Sequence, residues 1–144
     1  MPNWTRNELN IQTDDPKKIL DFKKKVLTQS EKGKLELDFE KIIPMPKKIF
    51  RGNLGSEERE KYGDNNWYDW SIKNWGTKWN SCRTEVDSSF QEHGELQITF
   101  DTAWDTPRPI IKKLKQMFPE LNFWGGYIHE GWEGAGSFEE IINE

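Results

Sequence analysis

One piece of punctuation occurs twice and constrains the chain more than any other feature. Asp14-Asp15-Pro16 and Asp105-Thr106-Pro107 each end an alternating segment and open an amphipathic one. Proline at a first helical position loses no hydrogen bond, and Asp15 or Thr106 just before it is a good N-cap, so each triplet predicts a helix start. Before the first, across 5–13, Leu9 and Ile11 alternate with Glu8, Asn10 and Gln12, the period of a strand. After it, Ile19, Phe22 and Val26 recur at helical spacing with Lys17, Lys18, Lys23, Lys24 and Lys25 outward, a helix of about 14 residues ending before Gly33. The second triplet follows Leu96, Ile98 and Phe100, an alternation that continues to Thr102 and Trp104 on the same face. It precedes Ile110, Ile111, Leu114, Met117 and Phe118 on one side of a helix that Pro119 ends.

Each helix is followed by a further strand pattern. In 34–40, Leu35, Leu37 and Phe39 alternate with Glu36 and Asp38. In 121–130, Phe123 and Tyr127 face one way and Trp124 and Ile128 the other, with Gly125-Gly126 read as a bulge or bend. The two units, 5–40 and 95–130, packed side by side, predict an α+β domain: a ferredoxin-like split βαβ antiparallel sheet with two helices on one face. A single domain over 1–144 is expected, with a Trp-rich helical insert at about 41–82. A weaker strand pattern lies at 83–90, with Val86, Ser88 and Phe90 on one face. His93 sits in a hairpin turn, and 137–142 reads as an added edge strand.

Only 33% of the residues are hydrophobic and two are Ala, so the core depends on rings: 8 Trp, 8 Phe and 3 Tyr. Each ring buries roughly 150–250 Å². The net charge of −4 argues against a protein devoted to the duplex phosphate backbone. The charge is uneven, because no Lys or Arg follows Lys115 while six Glu do. The lone Cys82 forms no intrachain disulfide, and the opening residues lack the layout of a secretion signal, which together predict a cytoplasmic protein. No apolar run has the length of a membrane helix, so no membrane partner is expected.

Four Trp fall between Trp67 and Trp79. Tyr68, Ile72 and Trp75 share one helical face, and Gly76 is a natural residue to follow the helix. Two accounts of these rings remain open. They fill a core short of aliphatic side chains, or some form an exposed platform for a partner or for bases. Trp67 and Trp70 lie off the Tyr68/Trp75 face and are expected to be exposed.

Met1-Pro2-Asn3-Trp4 with Asn7-x-Leu9-x-Ile11, Trp67-Tyr68-x-Trp70, Asn74-Trp75-Gly76-Thr77-Lys78-Trp79-Asn80, and Phe100-x-Thr102-Ala103-Trp104-x-x-Pro107 together resemble the YubB-like family of small phage- and plasmid-borne proteins. The resemblance covers nearly the whole chain, and Asn-Trp-Gly-Thr-Lys-Trp is its most specific part. Tyr127-Ile128-His129-Glu130-Gly131-Trp132 fits the family pattern only loosely. The resemblance implies a ferredoxin-like domain and expression in a bacterial host cytoplasm, and it supplies no catalytic residue.

No nucleophile elbow, P-loop, His-Glu-x-x-His or Cys-x-x-Cys motif occurs. A non-enzymatic interaction protein is therefore expected, with no cofactor and no metal. By analogy from its implied setting, it binds and inhibits a host defence complex, for example a CRISPR system. Its candidate partner-binding residues are Trp67, Trp70, Trp79, Trp132, Glu130 and Glu133. One alternative is a single-stranded nucleic-acid binder using exposed aromatics. Another is a metal-dependent hydrolase using His129 with Glu130 and Glu133.

Overall fold

The computed structural model describes residues 3–132 and 134–144. Strand β1 (Trp4–Gln12) leads into helix α1 (Pro16–Val26), whose start is capped by the Asp15 side chain accepting from the Lys17 amide. The chain then forms a hairpin, β2 (Leu27–Gln29) with β3 (Leu35–Leu37), and two short helices, α2 (Ser56–Tyr62) and α3 (Trp67–Asn74). Strands β4 (Cys82–Asp87) and β5 (Glu95–Ala103), helix α4 (Arg108–Met117) and strand β6 (Asn122–His129) follow. The chain closes with β7 (Ala135–Ser137) and α5 (Phe138–Ile142).

The sheet runs β4-β5-β1-β6-β7 with every pairing antiparallel. Its first four strands, β4-β5-β1-β6, have the order of a ferredoxin-like fold, with β1 in the middle of the sheet. The split unit is completed by β4, from the weakly patterned stretch, and not by 34–40. That segment alternates as a half-buried strand should, but it pairs only with β2 in a separate two-stranded hairpin. It reaches the β4 region through side chains, with Thr84 Oγ1 accepting from the Leu37 amide and the Ser81 hydroxyl donating to the Leu37 carbonyl. Residues 27–81 therefore stand outside the five-stranded sheet.

Other boundaries shift for local reasons. Helix α1 spans 11 residues and stops at Val26, because Leu27 is already extended. Pro107 is the cap of α4, and Thr106 turns inward. Residues 138–142 form a helix capped by Ser137, and the edge strand lies just before it. His93 lies in the turn between β4 and β5, closed by Gly94 at φ 82°.

One face of the sheet carries the core. Leu9, Ile11, Ile98, Phe100 and Phe123 pack beneath Ile19, Phe22 and Val26 of α1 and Ile110, Ile111 and Leu114 of α4. Phe22 meets Phe118 edge-on at 5.0 Å between centroids. The insert extends this core, since Phe39 packs edge-on to both Phe100 and Trp75, and the Trp75 indole donates to the Ile43 carbonyl.

The glycine pair in β6 makes no bulge, because its register with β1 is unbroken. Gly125 has φ 126°, and a Cβ there would overlap the Glu8 carbonyl oxygen. Gly125→Ala is expected to cost more than about 2 kcal/mol in urea unfolding. Gly55→Ala, at an ordinary φ of −100°, is expected to stay within about 1 kcal/mol.

Candidate functional site

The open face of the sheet carries Trp4, Arg6, Glu8, Asn10 and Gln12 from β1, opposite the register positions Ala103, Asp101, Thr99, Gln97 and Glu95 of β5. Its central rows are polar, so it lacks the aromatic pair on the middle strands by which ferredoxin-like RNA-binding domains stack bases.

The rings gather instead at one end. Trp4 lies 6.0 Å from Trp79, and the Lys78 ammonium sits 4.6 Å from the Trp79 centroid and 5.2 Å from that of Trp104. Trp104 meets Tyr68 edge-on at 5.7 Å, and the Arg59 guanidinium lies 5.8 Å over Tyr68. On the other flank, the Arg83 guanidinium lies 4.2 Å over Trp4. Each exposed cation–ring contact of the Lys78 kind is worth about 0.5–1 kcal/mol, enough to hold a side chain in place. Trp79 and Trp104 remain 36% and 40% exposed, so the strip is both ordered and accessible.

Charge along the strip is organised by Asp101, which is buried at 8% exposure. One carboxylate oxygen accepts from Arg83 at 2.6 Å and the other from Arg6 at 3.2 Å. Lys78 and Arg59 make no ion pair among the described residues, leaving the strip a surplus of positive charge. Next to Arg83, burial pushes the Cys82 thiol above its usual range, only partly opposed by that guanidinium. Less thiolate is present at pH 8 than in a free cysteine. Alkylation of native Cys82 is expected to be slower than that of the unfolded chain and to accelerate as pH rises.

Two of the strip's residues have backbones that side chains rarely adopt: Arg83 at φ 50° and Trp104 at φ 80°, the two non-glycine positive φ values among the described residues. The bulge between Cys82 and Glu85 accommodates the first. The second corrects the alternation argument, which put Trp104 on the core side with Thr102. The positive φ turns its ring outward, and its amide donates to the Asn3 carbonyl at 2.8 Å. Such strain costs about 1–3 kcal/mol and gathers at functional sites.

Trp67 and Trp70 are not the exposed rings. Both are half-buried against the core: Trp67 donates its indole N–H to the Gly52 carbonyl, and Trp70 packs edge-on to Trp75 at 5.2 Å. Ile72, expected on the buried face, is exposed. The α3 helix is too short to hide two faces, and the side carrying Trp67 and Trp70 turns inward. Trp79 lies in the strip. Glu130 is exposed at its border, accepting from the Trp4 amide at 2.9 Å. Trp132 lies in the turn after β6, and Glu133 lies outside the described residues. Trp4, Lys78, Arg83 and Trp104 were missed. The pairing of Trp4 with Ala103, one residue before Trp104, is the register that links them, and register is invisible in one strand alone.

His129 accepts or donates at Nδ1 with the Thr5 hydroxyl, 2.8 Å away, and its Nε2 lies 3.7 Å from Asp105. Thr5 is only 1% exposed, and its hydroxyl is fixed against the His129 ring. It ties β1 to β6. Among the described residues no group of three His, Cys, Asp or Glu side chains is placed to hold a metal ion, and no helix is long and apolar enough to cross a membrane.

Part of the strip lies within the segment of the chain that matches a family model, while Trp4 on β1 lies outside it. Residues 74–139 match the family model described as the ferredoxin-like domain in Api92-like protein. The match runs from the end of α3 into α5, taking in Lys78, Trp79, Arg83 and Trp104. It agrees with the sheet order in giving a ferredoxin-like α+β fold. No curated protein and no solved structure matches the chain.

Replacing Trp104 by glycine removes a half-exposed ring and relieves the positive φ, two effects of similar size and opposite sign. Trp104→Gly is expected to hold unfolding free energy within about 1 kcal/mol of the parent. Trp75→Ala, which empties a core position, is expected to cost about 3–5 kcal/mol.

Proposed function

We propose that this is a non-enzymatic interaction protein of the YubB-like kind, from a phage or related mobile element. It acts in the bacterial cytoplasm by binding and inhibiting a host protein complex, with a defence system such as CRISPR as the target. The strip formed by Trp4, Trp79, Lys78, Trp104 and Arg83 is the binding surface, and the partner presents acidic and aromatic groups to it. The observation that carries this reading is the pair of half-exposed indoles, Trp79 and Trp104, bridged by the Lys78 ammonium, with Trp104 on a strained backbone. Trp and Arg dominate interface hot spots because they bury large area at little entropic cost. The surplus of cations in a chain of net charge −4 favours an acidic partner surface. The mobile-element setting rests on the resemblance of the sequence motifs.

The test is affinity purification from expressing host cells at near-native concentration, followed by titration of the purified partner. A stable complex is expected, weakened at least about 30-fold by Trp79→Ala, Trp104→Ala or Lys78→Glu and changed less than about twofold by Leu20→Ala, exposed on α1 over the other face of the sheet. Recovery of no stable host partner overturns the reading. The same rings and cations also favour a second reading, a single-stranded nucleic acid stacked on Trp79 and Trp104. That reading requires oligonucleotides to quench tryptophan fluorescence with an affinity that falls as salt rises. A flat titration at low salt removes it.

A further inference from the structure

At the opposite end of the open face, a cavity of about 230 Å³ lies between the end of β1, the β4–β5 turn and the start of β6. Its chemistry is the reverse of the strip's. Trp124 and Phe90 line it, and both are large rings left mostly in water, at 51% and 60% exposure. Asp87 and Glu95 supply two carboxylates. The sheet register places Asp87, Gln97, Asn10 and Trp124 in one row on one face.

The floor is already satisfied. Gln97 Nε2 donates to Asn10 Oδ1 at 3.1 Å, and Asn10 Nδ2 donates to Glu8 at 3.3 Å, so these amides are fixed and not seeking a ligand. The walls are different. Asp87 accepts from the Ser89 amide at 2.9 Å, and hydrogen bonds from Ser89 hold its carboxyl below the usual range, keeping it ionised. Glu95 makes no ion pair among the described residues, while the nearby cations are engaged elsewhere, Lys34 on Glu85 and Lys23 on Ser88 and Gln91.

We propose that this cavity binds the guanidinium group of an arginine side chain presented by a basic segment of a partner protein. Two aromatic rings beside two carboxylates form a cation site, since the ring faces attract positive charge and the carboxylates neutralise it. The planar guanidinium suits it better than an ammonium, because it stacks on an indole, is weakly hydrated and meets carboxylates with a fork of N–H donors. The volume admits a side chain and not a folded element. The site shares no residue with the Trp79/Trp104 strip, so it stands or falls independently of it.

The probe is a short acetylated Gly/Ser peptide containing one arginine, compared with the same peptide carrying citrulline, the uncharged isostere, and with free argininamide. The readout is NMR titration of the Trp124 indole and the Gln97 and Asn10 side-chain amides. Saturable shifts with the arginine peptide are expected. Binding should weaken at least about tenfold in Trp124→Ala and in the double variant Asp87→Asn/Glu95→Gln, with unchanged unfolding midpoints, and should persist in Trp79→Ala. Citrulline binding as tightly as arginine, shifts that never saturate, or argininamide binding tenfold more tightly than the peptide would each overturn the proposal.

Discussion

Everything at the strip's end of the sheet hangs on Asn7. Its side chain is wholly buried where β1, β5 and the approach to α4 meet. Its amide nitrogen donates toward the Thr102 hydroxyl at 3.0 Å and the Phe100 carbonyl at 3.2 Å, and its oxygen accepts from the Thr106 hydroxyl at 2.7 Å. Thr102 in turn donates to the Asp105 carbonyl at 2.6 Å. A buried amide left unpaired costs about 1–3 kcal/mol, so the network accepts one arrangement. That arrangement fixes the turn between β5 and α4, and the turn forces Trp104 into its positive φ with its ring in water.

The open face is thus one polar surface with two unlike ends. At one, cations are stacked on indoles and a buried carboxylate pairs two guanidiniums. At the other, rings stand beside carboxylates. The two ends are separated by a row of Glu8, Thr99 and Glu85 across β1, β5 and β4. Helices α2 and α3 reach this face only at the strip, through Arg59 and Tyr68, while α1 and α4 lie on the other side. The latter two bury its reverse, and that burial makes the strands rigid enough to hold charged side chains in register.

The elements that announced themselves in the sequence were those whose partners are local. Pro16 and Asp15 set the start of α1, and the alternation of Leu96, Ile98 and Phe100 gave β5, because caps and period-two patterns are properties of a few adjacent residues. Strand pairing is not. Leu35 and Leu37 alternate more cleanly than Thr84 and Val86, yet the second pair belongs to the main sheet. The bulge at Arg83 broke the period that would have marked β4. The site was less legible for the same reason: Trp4 and Trp104 are a hundred residues apart, and only register brings them together. Trp67 and Trp70, judged by the face of a single helix, turned inward because the core lies against their side of that helix and leaves Ile72 in water.

The position of β1 has a consequence for how the molecule comes into being. The central strand leaves the ribosome before the other strands of its sheet, but its neighbours are β5 and β6, so it waits for roughly a hundred residues of chain before either flank forms. Folds dominated by such distant pairings assemble slowly, on the order of milliseconds to seconds. The helix that follows β1 carries five lysines, so the segment that waits with it is charged. The Trp-rich insert emerges in the interval, a local cluster against which the late strands close.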